Sequence, residues 1–240
     1  MIPKRNGKDR PLGIPTIEDR LVQQSLKLLL EAVYEKKFSK RSHGYHPNKG
    51  VHTVTKNLRL WRGISWFIEG DIVEFFDSID HEVLIAILTR TIKDQQVIDL
   101  IWKILRAGVN TKGKLEKTEK GTPQGSIISP ILSNIYLNEL DSSIEELGKK
   151  KNTITTSLPN PEYILKKSQL RYYKGDKRKG YQELRKLKST LRIGYKMYYI
   201  RYADDWLIGI WGSRKEPRHV RNYRKDAQRK TQIRIIERKN

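Results

Sequence analysis

Two short acidic motifs hold the residues of this sequence that are best suited to metal chemistry. The first is Asp71-Ile72-Val73-Glu74-Phe75-Phe76-Asp77, in which Asp71 follows a short apolar segment. The second is Tyr202-Ala203-Asp204-Asp205, between two strand-like segments. Carboxylate oxygens suit Mg²⁺, which is usually held by one or two carboxylates together with substrate phosphates. Carboxylates that converge from two strands can hold two metal ions about 3.5–4 Å apart, an arrangement used in phosphoryl transfer.

Each acidic motif also has an ordinary structural explanation. An Asp-Asp pair is common in turns, because aspartate side chains bond the neighbouring backbone. Asp71 could equally be a solvated strand end or a cap. Taken alone, each motif is therefore weak evidence for a metal site.

A glycine-containing turn precedes a predicted helix. It reads Gly121-Thr122-Pro123-Gln124-Gly125-Ser126 and leads to Ser129-Pro130, a typical N-cap followed by a first-turn proline. Glycine lets the backbone approach a ligand closely, and helix N-termini attract phosphate. The motif therefore suggests a phosphate-binding turn, with an ordinary loop into a capped helix as the alternative.

Two basic regions could contact phosphate groups. Residues 2–15 read as a short hairpin or loop, and its cations could clamp a triphosphate: Lys4, Arg5, Lys8 and Arg10. Residues 149–194 are dense in Lys and Arg with interleaved tyrosines, so they could follow a phosphate backbone while the rings stack on unpaired bases. The candidate RNA-binding residues there are Lys166, Lys167, Arg171, Tyr172, Lys177 and Arg178. In both regions the alternative is a solvated charged surface.

The composition favours a nucleic-acid partner. The 240 residues carry a formal net charge of +22, from 49 Lys and Arg against 27 Asp and Glu. Such an excess of positive charge points to a polyanion, most often nucleic acid. A hydrophobic content of 37% is too high for a disordered basic tail. The absence of cysteine from the sequence excludes a disulfide scaffold and a cysteine-ligated zinc site.

Several other classes of protein lose their best sequence signals. No apolar run approaches the roughly 20 residues of a membrane span, and the polar start does not resemble a signal peptide. We therefore expect no secretion and no membrane partner. The motifs of nucleotide hydrolysis, dinucleotide binding and serine hydrolysis are missing from the sequence. The histidines at 43, 46 and 52 favour ordinary polar contacts over a metal site.

The acidic motifs lie on predicted strands. Residues 64–68 form a short β-branched run that ends at Gly70-Asp71, and residues 197–201 and 206–210 predict a hairpin with two acids at its tip. Helical periodicity follows three predicted N-caps, Thr16, Asp80 and Ser129, and the last of these helices should end near Gly148. Residues 110–121 predict a further hairpin. Acids on rigid strand ends can be held precisely enough for catalysis.

Five segments, in this order, resemble a group II intron-encoded reverse transcriptase and maturase. They span most of the chain, from about residue 3 to residue 212, and are residues 10–16, 38–47, 71–77, 121–130 and 202–205. The first two segments favour the group II type over retron or defence-associated reverse transcriptases.

This resemblance implies an α+β fold. The expected architecture is a right-hand polymerase palm, a small mostly antiparallel sheet backed by helices, under helical fingers. The fingers would be residues 1–62 and the palm residues 63–212, with the basic insertion at about 149–194. Residues 213–240 look like a basic, truncated or irregular tail, and the thumb is expected to be absent.

The resemblance also implies an RNA-directed DNA polymerase associated with intron splicing and mobility. Such an enzyme transfers dNMP to a primer 3′-hydroxyl on an RNA template with two Mg²⁺ ions, and Mn²⁺ is a possible substitute. Its partners would be template or intron RNA, a DNA primer and dNTPs. The alternative is a truncated, catalytically inactive maturase fragment that binds RNA. The resemblance also implies a bacterial cytoplasm or an organellar matrix or stroma, and the oligomeric state stays open.

The site residues follow from the same resemblance. Asp71 and Asp204 would hold both metal ions, Asp205 would support them, and the backbone of Ile72 would face the metal and triphosphate. The ring of Phe76 would lie under the sugar, clash with a 2′-hydroxyl and so favour dNTPs over rNTPs.

Three further residues would bind the incoming nucleotide. Gln124 would contact the nucleotide and its template base, and Lys4 and Arg10 would clamp its phosphates. Phe75 is expected to pack in the core.

Overall fold

The structure is a computed structural model that describes residues 2–3, 9–10, 13–72, 75–111, 114–116, 120–122, 125–153, 156–211 and 235–238. Its helices are α1 Ile17–Tyr34, α2 Val51–Arg59, α3 Phe75–Ser78, α4 His81–Thr89, α5 Gln95–Arg106, α6 Ser129–Lys151, α7 Pro161–Tyr172 and α8 Arg178–Lys186. Its strands are β1 Ile2–Pro3, β2 Asp9–Arg10, β3 Ser42–His43, β4 Trp66–Ile72, β5 Val109–Thr111, β6 Lys114–Glu116, β7 Thr156–Pro159, β8 Thr190–Ile193, β9 Lys196–Tyr202, β10 Asp205–Trp211 and β11 Ile235–Arg238.

A five-stranded sheet forms the centre of the molecule. Its strand order is β11-β4-β10-β9-β3, and every neighbouring pair is antiparallel except β3 with β9. The hairpin β9–β10 is the one predicted from residues 197–201 and 206–210, and it pairs with the predicted strand β4. The α+β fold with a mostly antiparallel sheet is therefore confirmed.

Helix α6 packs on one face of this sheet and is the main element of the core. Its residues Ile131, Leu132, Ile135 and Tyr136 are buried, and α1 and α4 pack against it from the other side. The sheet contributes alternate side chains to the same core, as expected for a strand with period-two patterning: Met197, Tyr199, Trp206, Ile208 and Ile210.

Side-chain caps begin the helices that were predicted to have them. The hydroxyl of Thr16 accepts from the N–H of Asp19, and the carboxylate of Asp80 accepts from the N–H groups of Glu82 and Val83. Helix α6 differs slightly, because Ile128 is its N-cap, Ser129 is its first residue and the helix continues to Lys151. Pro130 lies in its first turn, where the missing N–H costs nothing.

The end of the chain corrects one expectation. Residues 213–240 were predicted to be a basic tail, truncated or irregular, but within this tail Ile235 and Ile236 pair with Ile72 and Asp71 in strand β11. The prediction is wrong for residues 235–238. A β-branched pair favours extended structure, and the strand covers the edge of β4 that would otherwise be open.

Three smaller units in the described part of the chain lie outside the five-stranded sheet. The basic insertion is a helical hairpin, α7 and α8, whose base is closed by the pairing of β7 with β8. The N-terminal hairpin pairs Ile2 with Arg10, and β5 pairs with β6 as predicted. No helix in the described part of the chain is both long enough and apolar enough to cross a membrane. The boundary between fingers and palm at residue 62 stays a prediction.

Candidate active site

The sheet register brings the two acidic motifs together. Trp206 of β10 pairs with Gly70 of β4. One residue nearer the hairpin tip, Asp205 therefore lies opposite Asp71, across a strand separation of about 4.8 Å. Asp204 is the neighbouring residue in the turn between β9 and β10. Two motifs 130 residues apart thus meet at one end of one sheet.

The acids lie on the face of the sheet that is turned away from helix α6. Trp206 and Ile208 point into the core, so Asp205 points to the opposite face. The alternation on β4 places Asp71 there too, because Ile72 is buried. We call this surface the front face, defined by Asp71, Asp205, Phe67, Gly209 and Tyr198. At its acidic end Asp205 is exposed, and Asp71 is partly exposed.

An aromatic ring closes the other half of the front face. Gly209 pairs with Phe67 on one side and with Tyr198 on the other. The ring of Trp61 lies directly on this glycine, where a Cβ would come within 2.7 Å of it. It stacks on both neighbours, with ring centroids 6.4 Å from Phe67 and 5.4 Å from Tyr198. The open part of the front face is thereby narrowed to the end that carries the acids.

The predicted sugar-contacting ring lies just after the first acid. Phe76 is half-buried in the short helix α3, and the ring of Tyr45 meets it edge-on with centroids 6.4 Å apart. Tyr45 has a φ of 58°, which is rare for a residue with a side chain. Phe75 beside it is 3% exposed, so its expected role in the core is confirmed.

The predicted phosphate-binding turn packs against this same helix. The N–H of Thr122 donates to the carbonyl of Phe76 over 2.6 Å, and the N–H of Gly121 donates to the carbonyl of Ile79 over 2.7 Å. Gly121 has a φ of 87°, and a Cβ there would lie 2.9 Å from the backbone of Asp77. Only glycine fits this position, so the turn is fixed next to Phe76.

Gln23 of α1 holds the other end of the turn. Its side-chain oxygen accepts from the hydroxyl of Ser126 over 2.9 Å and from the N–H of Ile127 over 3.0 Å. Gln23 is 7% exposed, so these bonds satisfy a buried amide oxygen. The sequence analysis missed this residue, and the available signal was a polar side chain on the buried stripe of an amphipathic helix.

The chemistry of the acidic end fits a hard divalent cation. Its donors are carboxylate oxygens from two strands and a turn, which Mg²⁺ prefers. Among the described residues, no group of three or more His, Cys, Asp or Glu side chains is arranged as a metal cage. The assignment of these acids to a metal site therefore stays a prediction.

Comparisons with known proteins show to which family the chain belongs. The family described as reverse transcriptase (RNA-dependent DNA polymerase) matches residues 2–239. The chain belongs to the reverse transcriptase family. The chain is 40% identical over 232 residues to the group II intron-encoded protein LtrA of Lactococcus lactis subsp. cremoris, covering 90% of the chain and 39% of LtrA.

Two further comparisons extend the result. A 91 kDa protein in the cob intron of Schizosaccharomyces pombe is 38% identical, covering 92% of the chain and 29% of that protein. A telomerase structure from Candida tropicalis matches with a TM-score of 0.53 at 13% identity, covering 92% of the chain and 40% of the telomerase. The recognition of a group II intron type is confirmed by the relatives, and the telomerase match supports the fold. The chain spans about two fifths or less of the length of these relatives.

A basic groove lies between α7 and α8 of the reverse transcriptase. The cavity measures about 990 Å³, and four of the six predicted RNA-binding residues line it: Lys167, Arg171, Tyr172 and Lys177. The structure adds Arg185 and Tyr163, which the sequence analysis did not name, and Tyr181, one of the interleaved tyrosines of the insertion. The other two predicted residues point to carboxylates, since Lys166 pairs with Glu183 and Arg178 with Asp176.

Two histidines are structural rather than metal ligands. His46 lies between the Ser42 hydroxyl at 2.9 Å and the Glu35 carboxylate at 3.0 Å. The order resembles a hydrolytic triad, but Ser42 is fully buried and accepts a bond from Arg201. Burial lowers the pKa of His46, against a smaller opposing effect of Glu35, and burial likewise lowers the pKa of His43. Both imidazoles therefore act as neutral hydrogen-bonding groups.

Three of the predicted nucleotide-binding residues receive little structural detail. Lys4 and Gln124 lie outside the described residues of the reverse transcriptase. Arg10 lies in strand β2, opposite Ile2. Their roles stay predictions.

Proposed function

We propose that this chain carries the polymerase site of a group II intron-type reverse transcriptase, which extends a DNA primer on an RNA template. The observation that supports this most strongly is the register of β4 with β10, which places Asp71 opposite Asp205 and beside Asp204. Two of the proteins compared above, LtrA and the 91 kDa protein of Schizosaccharomyces pombe, are named as intron proteins. We therefore propose that the complete protein takes part in intron splicing and mobility, in a bacterial cytoplasm or an organelle.

The proposed reaction joins a primer to a nucleotide. The primer 3′-hydroxyl attacks the α-phosphate of a dNTP, a phosphorus–oxygen bond forms and pyrophosphate leaves. Asp71 and Asp204 would hold two Mg²⁺ ions, or Mn²⁺ in their place, with Asp205 in support and the carbonyl of Ile72 facing them. When bound, such ions neutralise charge on the attacking and leaving oxygens. The rigid strand ends would keep the carboxylates in place throughout.

The residues around the acids would select and orient the nucleotide. The ring of Phe76 would lie under the sugar, where the edge of Tyr45 limits its movement. Its bulk would then reject a 2′-hydroxyl and favour dNTPs. Gln124 would contact the base pair, and Lys4 and Arg10 would clamp the triphosphate through charge-assisted bonds.

We propose that the groove between α7 and α8 binds RNA. Its cations Lys167, Arg171 and Lys177 would follow the phosphates, and Tyr172 offers an exposed ring for stacking on an unpaired base. Replacing Lys167 and Arg171 by alanine should weaken RNA binding and flatten its salt dependence. Lys166→Ala, on the same helix but paired with Glu183, is the matched control and should change binding less.

Primer extension tests the proposed reaction. The purified chain should add dNTPs to a DNA primer on an RNA template in the presence of Mg²⁺, and Asp204→Asn should abolish the addition. Asp77→Asn is the control, because Asp77 is exposed on α3 and belongs to the same acidic motif. An Asp204→Asn variant as active as the wild type would contradict the proposed site.

The second candidate function is RNA binding without synthesis, which the basic groove favours. It predicts tight, salt-dependent binding of intron RNA by a chain that extends no primer. Extension by the wild type that is lost in Asp204→Asn would rule this candidate out.

A further inference from the structure

The turn that carries Asp204 has a backbone conformation that its own residues do not favour. Ala203, the first residue of the two-residue turn between Tyr202 and Asp205, has a φ of 52°. Glycine usually takes a positive φ in such turns, because a Cβ makes it unfavourable. Strained residues persist when their surroundings hold them, and they are common at functional sites. The question is therefore which groups hold this turn.

Both backbone polar groups of Ala203 are bound by residues outside the turn. Its N–H donates to the carbonyl of His43 over 2.9 Å. Its carbonyl accepts from the Nη1 of Arg201 over 2.6 Å. The turn is thus fixed from strand β3 on one side and by one guanidinium on the other.

The five N–H donors of Arg201 have matching acceptors. Its Nε and Nη2 form a two-pronged pair with Asp141 of α6, at 2.8 and 2.7 Å. Its Nη2 also reaches the Ser42 hydroxyl at 2.6 Å, and its Nη1 reaches Asn134 at 3.1 Å as well as Ala203. This geometry uses the planar fork of arginine, which lysine cannot reproduce.

The arginine and its partner are completely enclosed. Arg201 and Asp141 are each 0% exposed. Burial lowers the pKa of Arg201, but the Asp141 carboxylate and its bonds raise it by more, so the guanidinium stays charged. A buried ion pair is often no more stabilising than apolar side chains of the same volume. A role in positioning the turn is therefore considered beside one in stability.

The same network binds the loop at Gly44, which lies against the Ala203 turn. Gly44, with a φ of 82°, lies so near the turn that a Cβ would come within 2.8 Å of the Ala203 nitrogen. The Nδ2 of Asn134 donates to the Gly44 carbonyl over 3.1 Å, while its Oδ1 accepts from Arg201. One side chain of α6 thus links the loop to the arginine.

We propose that Arg201 is a positioning residue, which holds the Ala203 turn so that the carboxylates of Asp204 and Asp205 stay aligned with Asp71. Asp141 fixes the guanidinium, and Ser42 and Asn134 set its plane. The link to metal binding rests on the proposed function, whereas the link to the turn conformation does not.

Hydrogen exchange of the Ala203 amide tests the turn directly. In the full chain, Arg201→Lys should speed exchange at this amide by about tenfold or more, equivalent to about 1.4 kcal/mol. Met197 lies on the same strand as Arg201, and its amide donates to the side chain of Asn152. This amide should keep its protection from exchange. Tyr199→Phe is the matched control, because it removes one bond to Asp141 and leaves the bond from Arg201 to the Ala203 carbonyl in place. If Arg201→Lys does not fold, the pair Arg201→Met with Asp141→Leu serves instead, since an apolar pair can keep the fold.

Mn²⁺ binding, followed by electron paramagnetic resonance, tests the consequence for the acids. We expect the wild type to bind Mn²⁺ and Asp204→Asn to lose this binding. The Mn²⁺ affinity of Arg201→Lys should be lower than that of the wild type by about tenfold or more. Unchanged exchange at Ala203 would overturn the positioning role. Faster exchange with unchanged Mn²⁺ affinity would overturn its link to the acids. Mn²⁺ binding that is as tight in Asp204→Asn as in the wild type would count against the proposed function. The exchange result would still decide whether Arg201 positions the turn.

Discussion

Replacing Gly70 by alanine should distort the sheet at the point where the acids meet. Gly70 immediately precedes Asp71 and pairs with Trp206, the residue after Asp205. A Cβ at position 70 would lie 2.0 Å from Cζ2 and 2.2 Å from Cε2 of the Trp206 ring. Carbon atoms normally keep about 3.5–4.0 Å apart, so the buried indole would have to move by about 1.5 Å. The cost of the substitution comes from packing and not from backbone strain, because the φ of Gly70 is not in the left-handed region.

The free energy of unfolding should fall by about 2 kcal/mol. Overpacking of a core costs about 1–3 kcal/mol. The cost should lie in the upper part of this range, because the rigid Trp206 ring can move aside less easily than the end of a flexible side chain. Alanine returns about 0.4–1 kcal/mol, because the unfolded chain has fewer conformations to lose. For a chain of this length, a net loss of about 2 kcal/mol lowers the melting temperature by about 4–8 °C.

Thermal unfolding followed by circular dichroism checks this value against Gly148→Ala. Gly148 lies in helix α6, where a Cβ would meet only the flexible methyl of Met197 at 3.1 Å and the side chain of Asn152 at 3.9 Å. In a helix alanine is favoured over glycine by about 0.5–1 kcal/mol, so this control should melt at an equal or higher temperature. A Gly70→Ala variant that is as stable as the wild type would refute the packing argument. A Trp206→Leu background should reduce the cost of the alanine.

Three further changes test the fold around the site. His46 stays neutral in the fold because burial lowers its pKa below 6.5, whereas the unfolded chain takes up a proton. The free energy of unfolding should therefore fall as the pH drops below about 6.5. Urea unfolding should show a smaller fall for His46→Gln than for the wild type. The control His52→Gln, at an exposed residue, should show the same fall as the wild type. Asp80→Ala removes the cap of α4 and should cost about 1 kcal/mol in the same assay, and a cost near zero would contradict the capping role. Gly209→Ala should push Trp61 from the front face at a cost of about 1–3 kcal/mol, and tryptophan fluorescence that matches the wild type would argue against this.

The elements that carry the acids could be predicted from the sequence because their signals are local. A β-branched run before Gly70-Asp71 and two apolar runs around Asp204-Asp205 are strand patterns. The caps Thr16 and Asp80 were also predicted from residue type, since a short polar side chain before an apolar run satisfies the first N–H groups of a helix.

The contacts that hold the site could not be predicted in this way. Arg201 is the last residue of the strand predicted at 197–201, yet it is buried because partners 60 residues away, in α6, and 159 residues away, in β3, supply its acceptors. Gln23 reaches Ser126 over a separation of 103 residues. Such pairings depend on how the elements pack, and no local pattern in one sequence records them. The basic tail shows the same limit, since β11 is a strand only in the presence of β4.

The central claim is that acids from two distant motifs form one site. The measurement that tests it most directly is the single-turnover rate of dNTP addition on an RNA template by Asp71→Asn, Asp204→Asn and the double variant. Metal charge stabilisation is worth several kcal/mol, so each single change should slow the reaction by about 10²–10⁴-fold. Because groups that act as a unit are not additive, the double variant should be about as slow as the slower single variant. Losses that multiply in the double variant would contradict a shared site.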